Sequence, residues 1–261
     1  MRAVLCDIDG VVHQHGQAIA GAAEALNWLA QQQIPLRFIT NTTSKTPQAM
    51  ATELNACGLN VDPAHIINPT RAACRWLTQQ GIERVHTLVA PGIAGEFRDF
   101  ATDDQQPQAV VVGDVGQGFC FDSLNRVFRL LMQDTSLPLL ALGMTRYYAD
   151  GEGLNLDLGP FIKALEYATG REALVMGKPA ALVFQMALAE LGVSPDQAVM
   201  IGDDRLSDVL AAQRAGITGV LVRTGKFRAG DDAADGDGKR PDHVLASVAG
   251  LPALLQALKP C

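Results

Sequence analysis

Asp7 and Asp9 stand one residue apart, directly after the apolar run Ala3 to Cys6 and directly before Gly10. Two carboxylates this close repel each other, and a cation between them removes the penalty. Their oxygens are donors of the kind a divalent ion such as Mg²⁺ takes. The apolar run reads as a buried strand, and a strand ending in acids delivers them to the carboxyl edge, where α/β sheets bind ligands. Gly10 permits a sharp turn there. A plain turn accounts for the same residues, since Asp and Gly are both turn formers. A calcium loop of the EF-hand type does not, because Val11 and Ala18 fall where that loop needs an oxygen ligand and a Glu. Taken alone, the motif leaves turn and metal site open.

Three more strand ends carry chemistry. Pro35 to Ile39 reads as a strand landing on Thr40-Asn41, a hydroxyl and an amide that can donate to an anion's oxygens; helix capping explains the same pair. Lys178 lies between Gly177 and Pro179, where a helix is expected to begin and where a cation opposes the helix dipole unless an anion shares the site. An exposed lysine indifferent to the dipole is the simpler account. Met200-Ile201-Gly202-Asp203-Asp204-Arg205-Leu206-Ser207-Asp208 repeats the opening pattern, with Asp203 placed like Asp7 and Asp208 able to cap a helix or hold a metal-bound water. Each site has a dull explanation, but none of these predicts the recurrence. Acid, hydroxyl-amide, lysine and acid are together the groups that hold a phosphoryl group with a metal.

The elements that position these residues alternate along the chain. Apolar residues at helical spacing predict helices over 21–33, 46–57, 70–80, 123–132, 160–168, 179–191 and 207–215. Strands are expected at 35–39, 66–67, 84–89, 109–112, 137–142, 173–176, 198–201 and 219–222. The stretch 143–159 is rich in Gly and polar residues and reads as irregular, with Gly151 and Gly153 allowing a tight loop. Residues 230–239 form an acidic, low-complexity loop without calcium-ligand spacing. The whole predicts an α/β protein built on a mainly parallel sheet wrapped by helices.

At 261 residues the chain suffices for one large domain or two modest ones. A net charge of −7 argues against nucleic acid, whose binders carry a basic footprint. No apolar segment reaches the length of a membrane span, and the first strand starts too early to leave room for a signal peptide. Five scattered cysteines (Cys6, Cys57, Cys74, Cys120, Cys261) suit free thiols in a reducing cytoplasm better than disulfides or zinc. Gly113 to Gly118 has its glycines in the order Gly-x-x-Gly-x-Gly, not that of a dinucleotide fingerprint.

Asp7-x-Asp9, the strand-end Thr40, Lys178 and Gly202-Asp203-Asp204 with Asp208 resemble, in order, the four motifs of the haloacid dehalogenase superfamily. The long segment between the second and third motifs, with Arg146-Tyr147-Tyr148 and Leu158-Gly159-Pro160-Phe161, is similar to the large α/β cap of the NagD-type phosphatases. The resemblance implies a Rossmann-like doubly wound core at 1–69 and 177–261 and an inserted α/β cap at 70–176. It implies a Mg²⁺-dependent phosphatase acting on a small phosphorylated metabolite, with pyrophosphate and P–N bonds among the substrates considered. In that scheme Asp7 is the nucleophile and Asp9 the general acid and base. Mg²⁺ is held by the Asp7 side chain, the Asp9 main-chain carbonyl and Asp203. Thr40, Asn41 and Lys178 hold the phosphoryl group, Arg146 contacts the rest of the substrate, and Asp204 and Asp208 orient metal waters or Lys178. A homo-oligomer through the cap is a further expectation; nucleic acid and membrane are not expected partners. Two alternatives keep the same residues: a phosphotransferase or mutase, and a phospho-ligand binder without turnover.

Overall fold

A computed structural model describes residues 1–150, 153–234 and 236–258. In chain order its strands are β1 (Ala3–Cys6), β2 (His13–Gln14), β3 (Gln17–Ala18), β4 (Leu36–Ile39), β5 (Ile66–Ile67), β6 (Arg84–Leu88), β7 (Ala101–Thr102) and β8 (Ala109–Val112). They continue with β9 (Leu139–Ala141), β10 (Tyr147–Asp150), β11 (Gly153–Leu156), β12 (Leu174–Val175), β13 (Ala198–Gly202), β14 (Thr218–Val222) and β15 (His243–Leu245). The helices are α1 (Ala22–Gln31), α2 (Pro47–Ala56), α3 (Pro69–Gln79), α4 (Pro91–Ala94), α5 (Phe121–Gln133), α6 (Leu158–Thr169), α7 (Ala181–Leu191), α8 (Leu210–Arg214) and α9 (Leu251–Ala257).

Two compact units divide these elements. The first comprises Met1–Thr40, Pro47–Ile67 and the chain from Lys178 onward. Its sheet has the order β15-β14-β13-β1-β4-β5, parallel throughout. Successive residues of β1 feed opposite faces, as the period of a strand requires. Val4 and Cys6 join a core closed by Leu26 and Leu29 of α1, Leu54 of α2 and Leu255 of α9. Leu5 joins a separate core with Phe184 and Leu188 of α7 and Ala211 of α8. Burial on both faces explains why β1 and β13 are continuous apolar runs rather than alternating ones. From β1 the chain moves outward to β4 and β5, then returns to the other side of β1 with β13. Such a reversal opens a crevice at the carboxyl ends of β1 and β13.

The second unit comprises Asn41–Thr46 and Asn68–Gly177. Its parallel sheet has the order β12-β9-β8-β6-β7, with β10 and β11 forming a separate antiparallel hairpin. β8 is buried along its whole length. Asn68 starts α3 by accepting the Arg71 N–H at 2.9 Å and donates its amide to the Lys45 carbonyl at 3.1 Å. Arg171 closes the end of α5 by donating to the Leu131 carbonyl in its last turn, which has no helix partner, and to the carbonyls of Asp134 and Leu137 beyond it.

Several sequence-based readings change. The stretch 143–159 is not irregular: it holds the hairpin β10–β11, with Tyr147 opposite Leu156. Its glycines and Asn155 hid a strand pattern in which Tyr147, Leu154 and Leu156 fall on one face. Gly151 lies outside the described residues. The helix expected from Ser207 begins at Arg205 with a π-helical turn, because Asp204 and not Asp208 caps it. The helix expected from Pro179 begins at Ala181. Short elements too brief for a periodic signal were missed, namely β2, β3, β7, α4, β15 and α9. The acidic stretch is free of strand and helix at 230–234 and 236–239, with Asp235 outside the described residues. Cys6, Cys57, Cys74 and Cys120 are free thiols, and Cys261 lies outside the described residues. Among the described residues no helix is long and apolar enough to cross a membrane.

Candidate active site

Register brings the first and last motifs to one level. Cys6 pairs with Ile201 and with Phe38, so Asp7, Asp203 and Thr40 all leave the sheet at its carboxyl edge. The Asp7 N–H donates to the Ile201 carbonyl at 2.9 Å, fixing the nucleophile candidate to β13 before its side chain is placed. Lys178 completes the group. Its Nζ donates to Asp7 Oδ1 at 2.7 Å and lies 2.7 Å from Asp208 Oδ1, while its side chain is only 3% exposed. The contact with Asp208 is an ion pair without the alignment of a directed hydrogen bond.

Two buried carboxylates therefore hold one ammonium, and a third buried carboxylate, Asp203, lies beside them. Oxygens of Asp7, Asp203 and Asp208 all lie within 4.8 Å of one another. Asp203 Oδ2 accepts the Lys226 N–H at 2.7 Å, but its other oxygen is buried without a hydrogen-bond partner. Burying a charged oxygen unpaired is costly. Burial pushes the Asp203 carboxyl up to about 6, reinforced by the Asp7 carboxylate and opposed by the Lys226 N–H. Burial also raises Asp208, against the pull of Lys178. For Lys178, burial works the other way, yet the charges of Asp208 and Asp7 hold it above its usual range. Fully ionised, the three carboxylates carry two more negative charges than the one ammonium offsets. A divalent cation at the partnerless Asp203 oxygen would cancel that excess, so the residues fit such an ion.

Glycines make the approach possible. A methyl group on either Gly10 or Gly225 would collide with Asp203 Oδ2, and both have positive φ, 83° and 64°. A methyl on Gly202 would likewise strike Asp208. Thr224 ties the two loops together by donating its hydroxyl to the Gly10 carbonyl at 2.5 Å.

The remaining sequence-derived candidates fall into three groups. Thr40 is buried at the end of β4, while the Asp9 side chain is 65% exposed and lies 3.7 Å from the His13 ring. Asp204 does not join the cluster; its Oδ1 accepts the N–H groups of Leu206 and Ser207, both at 3.0 Å. Burial would raise its carboxyl, but the Ser207 N–H and the charge of Lys226 hold it lower. Asn41 and Arg146 belong to the second unit. There a methyl on Gly177 would meet the Asn41 amide oxygen at 2.8 Å, and Arg146 is exposed beside β10. Sequence reasoning missed Thr224, Gly225 and Lys226. The signal was the Thr-Gly-Lys run one residue after the apolar strand 219–222, a fifth polar strand end in a chain whose other four had been weighed.

Residues 4–102 match the family described as haloacid dehalogenase-like hydrolase, and residues 175–251 match a family described as HAD-hydrolase-like. Phospholysine phosphohistidine inorganic pyrophosphate phosphatase from Bos taurus is 42% identical over 236 residues, covering 89% of this chain and 86% of that protein. The p-nitrophenyl phosphatase from Archaeoglobus fulgidus superposes with a TM-score of 0.87 at 26% identity, covering 98% of this chain and 99% of the other. NagD from E. coli K-12 superposes with a TM-score of 0.84 at 26% identity, covering 95% and 97%.

Proposed function

The chain belongs to the haloacid dehalogenase-like hydrolases and acts on phosphate esters as a phosphatase, and from that premise we propose that it hydrolyses a small phosphorylated metabolite through an aspartyl-phosphate on Asp7. The observation that carries the reading is the Asp7 carboxylate at the end of β1, gripped by buried Lys178 beside a carboxylate oxygen that lacks a partner. Pyrophosphate and P–N bonds are the substrate types to test first, since the Bos taurus relative is named for both.

Asp7, Asp203 and the Asp9 main-chain carbonyl would hold Mg²⁺, and the contact geometry adds Asp208 as a neighbour of that site. Bound there, Mg²⁺ offsets the charge of a phosphate dianion that would otherwise repel a carboxylate nucleophile. The protein's residues divide the rest. Lys178 keeps Asp7 aimed, and Thr40 donates to a phosphoryl oxygen, as Asn41 is proposed to do. Asp7 attacks phosphorus, and the bond to the leaving oxygen breaks as Asp9 gives that oxygen a proton. Asp9 then takes a proton from water attacking the same phosphorus, and the bond to Asp7 breaks to release phosphate. High exposure suits Asp9 to this exchange, because a carboxyl sealed in the buried cluster could not reload from solvent. Asp204 and Asp208 serve by position: Asp204 shapes the turn after Asp203, and Asp208 holds Lys178.

Asp9→Asn is expected to retain Mg²⁺ binding, since the main-chain carbonyl is unchanged, and to lose about two to four orders of magnitude in kcat. Normal turnover with a much higher Mg²⁺ requirement would assign Asp9 a different role. Asp203→Ala should abolish the thermal stabilisation by Mg²⁺, worth about 2.7 kcal/mol at a hundred times the dissociation constant in the wild type. An unchanged Mg²⁺-induced shift in melting temperature would remove Asp203 from the metal site. We also propose that 144–159 influences substrate choice. On a panel of phosphorylated metabolites Arg146→Ala should then reorder the preferred substrates, and a preserved ranking counts against it. A reducing cytoplasmic setting fits the free thiols. A homo-oligomer through the second unit is supported by Tyr147, Leu154 and Leu156, which are exposed on one hairpin face. A Mg²⁺-dependent phosphate-release screen that includes pyrophosphate tests the whole reading; no release from any substrate would overturn it.

A further inference from the structure

The turn after β1 and the loop after β14 meet at the buried cluster, although 214 positions separate Gly10 from Thr224. The turn is closed on itself. The N–H groups of Val11, Val12 and His13 converge on the Ile8 carbonyl, and the Gly10 N–H donates to the His13 carbonyl at 2.8 Å. These bonds set the shape of the turn and leave its distance from the loop open. The loop is held from its other side: the Arg223 N–H donates to the Leu245 carbonyl at 3.0 Å, and the Lys226 N–H to Asp203 Oδ2 at 2.7 Å. The Thr224 hydroxyl joins the two, donating to the Gly10 carbonyl at 2.5 Å.

What this bond fixes is close packing around a carboxylate. A methyl on Gly10 or on Gly225 would strike Asp203 Oδ2 and also the Cα of the other glycine. The Asp203 carboxylate is thus packed against two bare backbones, and their approach aims its buried, partnerless Oδ1. The Asp9 carbonyl belongs to the peptide unit directly before the Gly10 carbonyl that Thr224 holds. A shift of Gly10 therefore displaces one proposed Mg²⁺ ligand and loosens the packing that aims another. Anchoring the loop alone would explain a hydroxyl at 224, but main-chain bonds at 223 and 226 already flank it. Its distinct contribution is the hold on Gly10.

We propose that Thr224 is a positioning residue of the metal site, its hydroxyl fixing the Gly10 backbone so that the Asp9 carbonyl and Asp203 Oδ1 meet one divalent ion together. The inference rests on the Mg²⁺ site proposed above and adds a residue that acts on it through backbone. Groups that orient metal ligands from behind typically change metal affinity by about ten- to a hundredfold when lost.

The test is Mg²⁺ binding to the substrate-free protein, measured by titration calorimetry for the wild type, Thr224→Val and Thr224→Ser, with denaturant unfolding of each in chelator. Valine keeps the shape of the side chain and removes the donor; serine keeps the donor. Thr224→Val is expected to bind Mg²⁺ about tenfold more weakly than the wild type, and Thr224→Ser to restore wild-type affinity. At saturating Mg²⁺ the kcat of Thr224→Val should stay near that of the wild type, while the Mg²⁺ concentration for half-maximal rate rises with the dissociation constant. If Thr224→Val does not fold, Thr224→Ala carries the same expected loss of affinity. A purely structural role predicts lower stability in chelator with unchanged Mg²⁺ affinity, and that result would overturn the proposal. Thr224→Ser binding as weakly as Thr224→Val would also overturn it, by assigning the effect to the methyl group. Wild-type protein that binds no Mg²⁺ would defeat the metal reading and the positioning role together, whereas wild-type binding that Thr224→Val leaves unchanged defeats the positioning role alone.

Discussion

Asp7→Asn is expected to abolish turnover, by on the order of four decades or more, while the purified protein stays folded and melts no lower than the wild type in chelator. The first half follows from chemistry: a carboxamide cannot form the acyl phosphate, and removing a group that acts as part of a unit costs nearly the whole advantage of that unit. The second half follows from the charge count. Asp7 is one of three buried carboxylates in a cluster with a single ammonium, so neutralising it removes repulsion that the metal-free protein must carry. An Asn oxygen can still accept from Lys178 Nζ at the 2.7 Å now held by the carboxylate. Loss of activity with retained or raised stability marks a residue kept for function at some expense to the fold. The measurements are phosphate release and thermal melting with and without Mg²⁺. Residual turnover above one part in a thousand, with mass spectrometry showing no deamidation to Asp, would remove Asp7 as nucleophile. A clear fall in melting temperature would show that its role is structural.

How much of this was legible beforehand depended on the range over which each feature is specified. β1, β13 and β8 were read correctly because strands buried on both faces leave an unbroken apolar run. The four motifs carried the family resemblance, which the family matches bear out. The Lys178 reading was right in kind, since an anion does share its site, but the anions are Asp7 and Asp208 rather than only a ligand. No local pattern could show this, as the partners lie 171 and 30 positions away in the chain. Asp204 and Asp208 had their capping roles exchanged for a related reason. Both suit an N-cap by type, and only the π-helical start at Arg205 decides that Asp204 takes the N–H groups. The hairpin at 147–156 was lost because two of its eight strand positions carry Gly or Asn, which weaken the alternation. Gly225 and Lys226 were lost because their roles are played by backbone: a close approach and an N–H, neither of which residue type announces.

Lys178→Met should be the most destabilising single change at the site, with an effect that depends on pH in a defined direction. The side chain is 3% exposed and its ammonium faces Asp7 and Asp208, both at 2.7 Å. Replacing it with an apolar chain of similar length leaves three buried carboxylates with no counter-charge. Removing one partner of a buried pair costs about 3–5 kcal/mol, a large share of the roughly 5–15 kcal/mol that holds a domain together. The carboxyls can relieve this by taking up protons. Asp203 and Asp208 already titrate at about 6 and about 7 with Lys178 in place, and without it both move higher. Groups whose folded values lie above their unfolded ones favour the fold while protonated, and that contribution disappears as pH rises through the folded values. The deficit relative to wild type in chelator should therefore be greatest above pH 7 and shrink towards pH 5. Saturating Mg²⁺ should restore part of it at high pH, because a divalent ion replaces the missing positive charge. Activity should not return with it, since the ion does not aim Asp7. Denaturant unfolding of both proteins at pH 5 and pH 8, with and without Mg²⁺, reads all of these effects. A deficit below about 0.5 kcal/mol, the range of a surface substitution, or one that does not vary with pH, would show that the ammonium does not neutralise the carboxylates in the folded protein.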